Sequence, residues 1–159
     1  MNIINLDKEK EIAIKAAKLA GKLLKEDKNI LNLKINSNPR DTKLKADIKS
    51  EKLILDILNS ESSYPVLAEE TGKTSDDLGD IFWVVDPLDG TANYNRNIPI
   101  CCVSIGLVKN MKPLIGVIFD FNNDDMFVGD NVNNLARLNN KDIKVSDIQK
   151  KTDGVLITG

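Results

Sequence analysis

The length, composition and charge of this chain exclude several classes of protein. Its 159 residues, 42% of them hydrophobic, are enough to fold as one domain around an aliphatic core. A formal net charge of −2 gives no basic excess for binding a nucleic-acid polymer or an anionic membrane. Histidine is absent, which excludes Ser-His-Asp triads, Cys-His dyads and imidazole zinc sites. Any catalysis would therefore use carboxylates, hydroxyls, lysines or a metal.

The N-terminal sequence and the two cysteines indicate a cytoplasmic protein. No apolar run approaches the ~20 residues needed to cross a bilayer, and charged residues appear before a signal-peptide core develops. Cys101 and Cys102 are adjacent in a β-branched run, where neighbouring side chains point to opposite faces of a strand. We expect two small, free, buried thiols rather than a disulfide or a nucleophile.

The first part of the chain predicts two helices separated by a polar segment. Asp7 is the expected N-cap of a helix over residues 8–27, where apolar residues recur at helical spacing. Residues 28–45 are polar and predict a loop or a loose hairpin that would serve as a lid. A second helix is predicted over residues 48–59, with Asp47 and Ser50 in its capping region.

The rest of the chain predicts a mostly antiparallel sheet built from hairpins. Short apolar, β-branched runs separated by Asn, Asp, Gly and Lys are typical of strands joined by turns. We expect strands at residues 66–68, 83–85, 100–108, 114–121, 126–128, 136–138, 143–145 and 155–157. Helices followed by strands predict an α+β fold, in which two N-terminal helices are layered on the sheet.

The most informative segment is the end of one predicted strand. The apolar residues 83–85 run into the sequence Asp-Pro-Leu-Asp-Gly-Thr at residues 86–91. The proline holds the backbone off the sheet ladder, so Asp86, the Leu88 carbonyl and Asp89 can converge on one point. Oxygen ligands of this kind suit a hard cation such as Mg²⁺.

The residues after these acids add a phosphate site and exclude one class of phosphotransferase. The amides of Gly90 and Thr91 would begin a helix, and helix N-termini attract phosphate. In haloacid dehalogenase-like enzymes a nucleophilic aspartate lies two positions before the second aspartate, but Pro87 occupies that position here. The spacing favours attack by water at a metal site over an aspartyl-phosphate intermediate.

Two further acidic positions fall at the ends of predicted elements. Asp47 lies at a helix start, where it is either an N-cap or a functional acid. Glu69 and Glu70 follow a strand, where they are either a solvated pair or part of a site. If these ends meet Asp86 and Asp89, the carboxylates share one cleft, and such a density of charge implies bound cations or raised pKa values.

These motifs resemble one known family. The segment at residues 86–91, with Trp-Val-Val before it and Asn-Tyr-Asn after it, resembles the signature of the inositol monophosphatase family of metal-dependent, lithium-sensitive phosphatases. Residues 45–52 are similar to the family's aspartate-bearing helix start, residues 68–70 to its glutamate motif, and residues 99–116 to the strands that follow. The motifs occur in family order over about residues 8–159.

The resemblance implies a role for each acid. The Mg²⁺ ligands would be Glu69, Asp86, the Leu88 carbonyl and Asp89. The substrate phosphate would be bound by Glu69, Leu88, Asp89, Gly90 and Thr91. Asp47 and Thr91 would orient and deprotonate the attacking water, and Glu70 would lie beside the ligands without touching the metal.

The resemblance also implies a domain organisation. Residues 1–159 would form a single domain, the N-terminal metal-binding part of an αβαβα sandwich, with the C-terminal domain and its metal-binding aspartate absent. We expect such a truncated chain to have weak activity or none, and to form a homo-oligomer near the strand at residues 155–157.

The expected function is Mg²⁺-dependent hydrolysis of a small phosphorylated metabolite, a phosphomonoester, by metal-activated water. A 3'(2'),5'-bisphosphate nucleotidase is the alternative within the family. A non-enzymatic metal- or phosphate-binding domain that acts through a partner is the alternative outside it.

Overall fold

The computed structural model of the protein describes residues 4–37 and 42–154. Its helices are α1 (Leu6–Glu26), α2 (Lys28–Leu31), α3 (Lys45–Glu61) and α4 (Thr91–Asn95). Its strands are β1 (Lys34–Ser37), β2 (Thr42–Leu44), β3 (Val66–Ala68), β4 (Gly72–Lys73), β5 (Ile81–Asp89), β6 (Cys102–Lys109), β7 (Lys112–Asp120), β8 (Asp125–Asp130), β9 (Leu135–Leu138) and β10 (Lys141–Asp142). A short 3₁₀ turn follows at Lys151–Asp153.

The strands form one large sheet and one small hairpin. The eight-stranded sheet has the order β10-β9-β8-β7-β6-β5-β3-β4, and every pair in it is antiparallel except β3 with β5. Helices α1 and α3 pack on each other and on the central strands β5, β6 and β7. The predicted α+β class, with helices layered on a mostly antiparallel sheet, is confirmed.

The N-cap residue of α1 is not the one predicted. Asn5 is the N-cap, and its side chain accepts a hydrogen bond of 3.1 Å from the Lys8 amide. Asp7 lies inside the first turn and forms an ion pair with Lys10. Both Asn and Asp are strong caps, so the sequence does not decide between neighbouring candidates.

The middle of the buried face of α1 consists of small residues, which bring the helix close to the sheet. Ala13, Ala16, Ala17 and Ala20 are fully buried. A Cβ atom on Gly21 would lie 2.6 Å from the Phe119 ring of β7, so this position has no room for a side chain. Among the described residues, no helix combines the length and apolarity needed to span a bilayer.

The polar segment between the long helices forms a hairpin, as predicted. After the single turn of α2, strands β1 and β2 pair antiparallel, with a register irregularity between Lys34 and Asn36. The Lys45 amide then donates to the Leu33 carbonyl over 2.9 Å, which closes the hairpin directly onto α3. Whether the hairpin moves as a lid stays a prediction.

Helix α3 begins three residues earlier than predicted, at Lys45. Leu44 is the N-cap and has no polar side chain, so the sequence carries no signal for a start at this point. Asp47 is therefore the third helical residue and not the cap. Its carboxylate still satisfies the helix end, because it accepts a 2.6 Å hydrogen bond from the Leu44 amide.

The meander from β6 to β8 is confirmed, but the next hairpin is tighter than predicted. Asn139 and Asn140 both adopt positive φ, at 48° and 66°, and form a two-residue turn. The return strand is therefore Lys141–Asp142, and the strand predicted at residues 143–145 does not form. The strand predicted at residues 155–157 lies outside the described residues.

Candidate active site

Glu69 and Asp86 are brought together by the one parallel strand pair of the sheet. The register of β3 and β5 pairs Ala68 with Val85, so the next residue of each strand, Glu69 and Asp86, lies side by side. The two carboxyl groups are close enough to form a hydrogen bond when Glu69 is protonated. Partial burial and then the charge of Asp86 raise the pKa of Glu69 to about 7. Burial also raises the pKa of Asp86, against the lowering effect of the hydrogen bond from Glu69.

The other predicted acids act on this pair at longer range. The charges of Glu70 and Asp47 also raise the pKa of Glu69, and the charge of Asp89 raises that of Asp86. The acids that are separated in the sequence thus belong to one electrostatic neighbourhood. Like charges at this density favour a proton or a cation between them.

The segment after Asp86 leaves the regular strand, as the proline indicates. The register between β5 and β6 shifts between Asp86 and Asp89. The Asp86 carboxylate accepts a 3.1 Å hydrogen bond from the Leu88 amide, and the Ser50 hydroxyl of α3 donates to the Pro87 carbonyl over 2.9 Å. Ser50 is fully buried, so this turn is fixed from inside the protein.

Gly90 is the point at which the chain turns from β5 into α4. Its φ of 87° lies in the left-handed region, which favours glycine. A Cβ atom there would lie 2.7 Å from the Ile100 carbonyl oxygen. The Gly90 carbonyl accepts the Tyr94 amide over 2.9 Å, so the Gly90 and Thr91 amides lie at the start of the short helix α4.

Asp47, which is buried, and Thr91, which is partly exposed, form a hydrogen-bonded pair. The Thr91 hydroxyl lies 2.8 Å from the Asp47 carboxylate and 3.0 Å from the Leu88 carbonyl. It has one proton, so it donates to one of these oxygens at a time. Burial raises the pKa of Asp47, while hydrogen bonds from Leu44 and Thr91 oppose that rise. Asp47 thus joins α3 to the start of α4.

Asp89 is exposed and lines a different cleft from the one that Glu69 and Asp86 line. The Cys102 thiol contacts the Asp89 carboxylate at 3.8 Å. Burial and then the charge of Asp89 raise the pKa of Cys102 to about 12. Both cysteines are free, and Cys101 is the more buried of the two. A thiol with so high a pKa is a poor nucleophile, in agreement with the expected structural role.

Glu70 and two residues of α3, Ser50 and Glu51, lie beside the candidate site. Glu70 forms an ion pair with Lys43 of the β1–β2 hairpin. Sequence reasoning placed Ser50 only in the capping region of the helix and gave Glu51 no role. Both are buried against site segments, and Glu51 accepts hydrogen bonds from the Glu70 and Thr71 amides. Their spacing of three and four residues from Asp47, on one helix face, is the signal that could have identified them.

The comparison with known proteins identifies the family of this chain. The sequence pattern of the inositol monophosphatase family matches residues 5–159. The chain belongs to the inositol monophosphatase family. A member from Solanum lycopersicum named Inositol monophosphatase 1 is 33% identical over 151 residues, which are 92% of this chain and 55% of that protein. Nus factor SuhB of Xylella fastidiosa is 36% identical over 151 residues, 93% of this chain and 54% of that protein.

A solved structure of the family has the same fold. The inositol monophosphatase from Anabaena superposes with a TM-score of 0.78 at 36% identity, over 91% of this chain and 52% of that chain. The chain therefore spans about half the length of the relatives it matches. The family relationship makes this chain part of a phosphatase family whose members are generally metal-dependent.

The donor atoms of the site suit the metal that the family implies. Every candidate ligand is an oxygen, and a cation bound between Glu69 and Asp86 would relieve the repulsion between them. Within residues 4–37 and 42–154, no three Asp, Glu or Cys side chains lie close enough together to hold a metal ion. Glu69 and Asp86 line one cleft of about 480 Å³, whereas Asp89 and Gly90 line the next. A shared ion would require Glu69 and Asp89 to turn towards it.

Proposed function

We propose that this chain carries the metal- and phosphate-binding part of a Mg²⁺-dependent phosphomonoesterase. The observation that carries the proposal is the side-by-side placement of Glu69 and Asp86 near the hydrogen-bonded pair of Asp47 and Thr91. One pair offers acidic oxygens for a cation, and the other offers a route for a proton. Hydrolysis of a phosphate ester by water needs both.

Glu69, Asp86, the Leu88 carbonyl and Asp89 would hold Mg²⁺. When bound, the ion would polarise the phosphate ester and lower the pKa of water, as in other metal-dependent phosphatases. In the part of the chain that the structure describes, the three carboxylates proposed as ligands are not occupied by basic side chains of the protein. Among the described residues, no lysine or arginine forms an ion pair with Glu69, Asp86 or Asp89. Glu70 differs from these acids, because Lys43 already neutralises it.

Asp47 and Thr91 would accept the proton of the attacking water. The Thr91 oxygen can take up a proton only if its own proton moves on to Asp47, 2.8 Å away. Burial raises the pKa of Asp47 and so increases its tendency to receive that proton. The pair would thereby perform the general-base role that histidine fills in other enzymes.

The start of α4 would bind the phosphate. The Gly90 and Thr91 amides lie at the first turn of the helix, where backbone N–H groups have no intrahelical acceptor. Glycine at position 90 permits the left-handed turn into this helix and the close approach of the Ile100 carbonyl.

The proposed substrate is a small phosphomonoester. The name of the Solanum lycopersicum relative favours an inositol phosphate, and a 3'(2'),5'-bisphosphate nucleotide is the alternative. Lithium would inhibit if it replaced a weakly held cation. The Xylella fastidiosa relative is named as a Nus factor, which favours a second candidate, a metal- or phosphate-binding domain that acts through a partner.

A phosphate-release assay with inositol 1-phosphate and adenosine 3',5'-bisphosphate, with and without Mg²⁺, tests the proposal. Asp47→Asn should abolish turnover and leave Mg²⁺ affinity close to that of the wild type. Asp142→Asn is the control, since Asp142 lies on β10 at the far edge of the sheet and is exposed. Weak turnover is expected of this chain, so Mg²⁺ binding without hydrolysis fits both candidates, whereas hydrolysis of either ester favours the first. Failure to bind Mg²⁺ would contradict both.

A further inference from the structure

One face of α3 reaches three separate segments of the candidate site. Asp47, Ser50 and Glu51 lie one turn apart and are 1%, 0% and 1% exposed. Asp47 binds the Thr91 hydroxyl, Ser50 binds the Pro87 carbonyl, and Glu51 binds the turn after β3. A single rigid helix therefore sets the relative positions of these segments.

Glu51 makes the most extensive of these contacts. Its two carboxylate oxygens accept separate hydrogen bonds, 2.8 Å from the Glu70 amide and 3.0 Å from the Thr71 amide. Charge-assisted hydrogen bonds to backbone amides are about twice as strong as neutral ones. A glutamine would match only one of the two amides, because its NH₂ group would face the other donor.

This contact fixes the backbone immediately after Glu69. On one side of Glu69, its own amide donates to the Val85 carbonyl of β5 over 3.1 Å. On the other side, the Glu70 amide is held by Glu51. The Cα of Glu69 is thus clamped between the sheet and α3, which leaves its side chain to extend beside Asp86.

We infer that Glu51 is a positioning residue, which holds the Glu69-Glu70-Thr71 turn so that Glu69 is presented as a cation ligand. The inference rests on the proposed function for the identity of the cation. Outer hydrogen-bond partners of metal ligands typically contribute 10–100-fold to metal affinity. Glu51 would contribute in this way without touching the ion.

Mg²⁺ titration calorimetry and amide hydrogen exchange of the full chain test the inference. Glu51→Gln should weaken Mg²⁺ binding by about tenfold or more and speed exchange at the Glu70 and Thr71 amides. Glu51→Asp keeps the charge but shortens the reach, and it should weaken binding too. The matched control is Glu9→Gln on α1, because Glu9 is also buried, at 5% exposure, and lies outside the site.

The outcomes separate positioning from simple charge and from loss of stability. Wild-type affinity in Glu51→Asp, with only Glu51→Gln impaired, would show that charge alone matters and would overturn the inference. Equal loss of affinity in Glu9→Gln would show a general effect of stability and would also overturn it. If the wild type binds no Mg²⁺, the proposed function fails and with it the role as a cation ligand, while amide exchange still decides whether Glu51 holds the turn.

Discussion

The Thr91 hydroxyl lies 2.8 Å from the carboxylate of Asp47, which joins the start of α4 to the start of α3. Asp47 is 1% exposed, so its carboxylate depends on this donor and on the Leu44 amide in place of water. The contact therefore stabilises the fold as well as serving the proposed chemistry.

Replacing Thr91 by Val should destabilise the protein by about 1–3 kcal/mol at neutral pH, because a buried carboxylate loses a donor. The loss should shrink as the pH falls and Asp47 takes up a proton. Urea unfolding at several pH values measures both effects. Thr91→Ser keeps the hydroxyl and should stay close to the wild type; a Ser variant as unstable as the Val variant would contradict the hydrogen-bond explanation.

Two aspartate substitutions of the same kind should have opposite effects on stability. Asp86→Asn relieves repulsion with Glu69, so we expect an unchanged or higher melting temperature without metal and weaker Mg²⁺ binding. Asp130→Asn should lower the melting temperature. Although burial alone would raise it, hydrogen bonds from Lys10 and Asn133 lower the pKa of Asp130 to about 2.

Differential scanning fluorimetry in metal-free buffer compares the two variants. A marked loss of stability in Asp86→Asn, similar to that in Asp130→Asn, would identify Asp86 as a structural turn residue instead of a metal ligand.

Mg²⁺ binding should release protons in mildly acidic buffer. The pKa of Glu69 is raised to about 7, so its carboxyl is largely protonated at lower pH and must ionise to bind a cation. Affinity should therefore fall as the pH drops below 7, and proton release should approach zero in alkaline buffer. Calorimetry in buffers of different ionisation enthalpy counts the protons, and Glu69→Gln should abolish the release. Proton release that does not change with pH would exclude Glu69 as a ligand.

Glycine-to-alanine substitutions should separate backbone strain from steric clash. Gly72 has a φ of 76° and open space around its missing Cβ, so Gly72→Ala should cost only the left-handed conformation, about 1–2 kcal/mol. Gly90→Ala adds a contact of 2.7 Å with the Ile100 carbonyl and should cost clearly more. The free energy of unfolding in urea measures the difference, and equal values would show that the Ile100 segment yields to the new methyl group.

The sequence was sufficient for the fold class and for placing Glu69 and Asp86 at the ends of apolar strand segments. Their side-by-side position depends on the parallel register of β3 and β5, which the sequence did not reveal. It was insufficient where one residue type serves two purposes. Asp47 satisfies the helix end from inside the first turn, so its position alone suggested a later helix start.

Other differences arise from contacts that depend on tertiary structure. The turn at Asn139 and Asn140 is shorter than predicted, because both residues tolerate positive φ and close a two-residue loop. Glu51 carries no local signal for its partners, since its hydrogen bonds reach the turn after β3. Only the packed position of α3 reveals them.

Trp83 is the single tryptophan of the chain, and it lies on β5, the strand that ends in the candidate site. It is 0% exposed, and its indole N–H donates to the Ser62 hydroxyl at the end of α3 over 3.0 Å. Its emission comes from one defined environment, between the helix that holds the site segments and the strand that carries Asp86. Intrinsic fluorescence thus gives an optical signal for the separation of these two elements, free of contributions from other indoles.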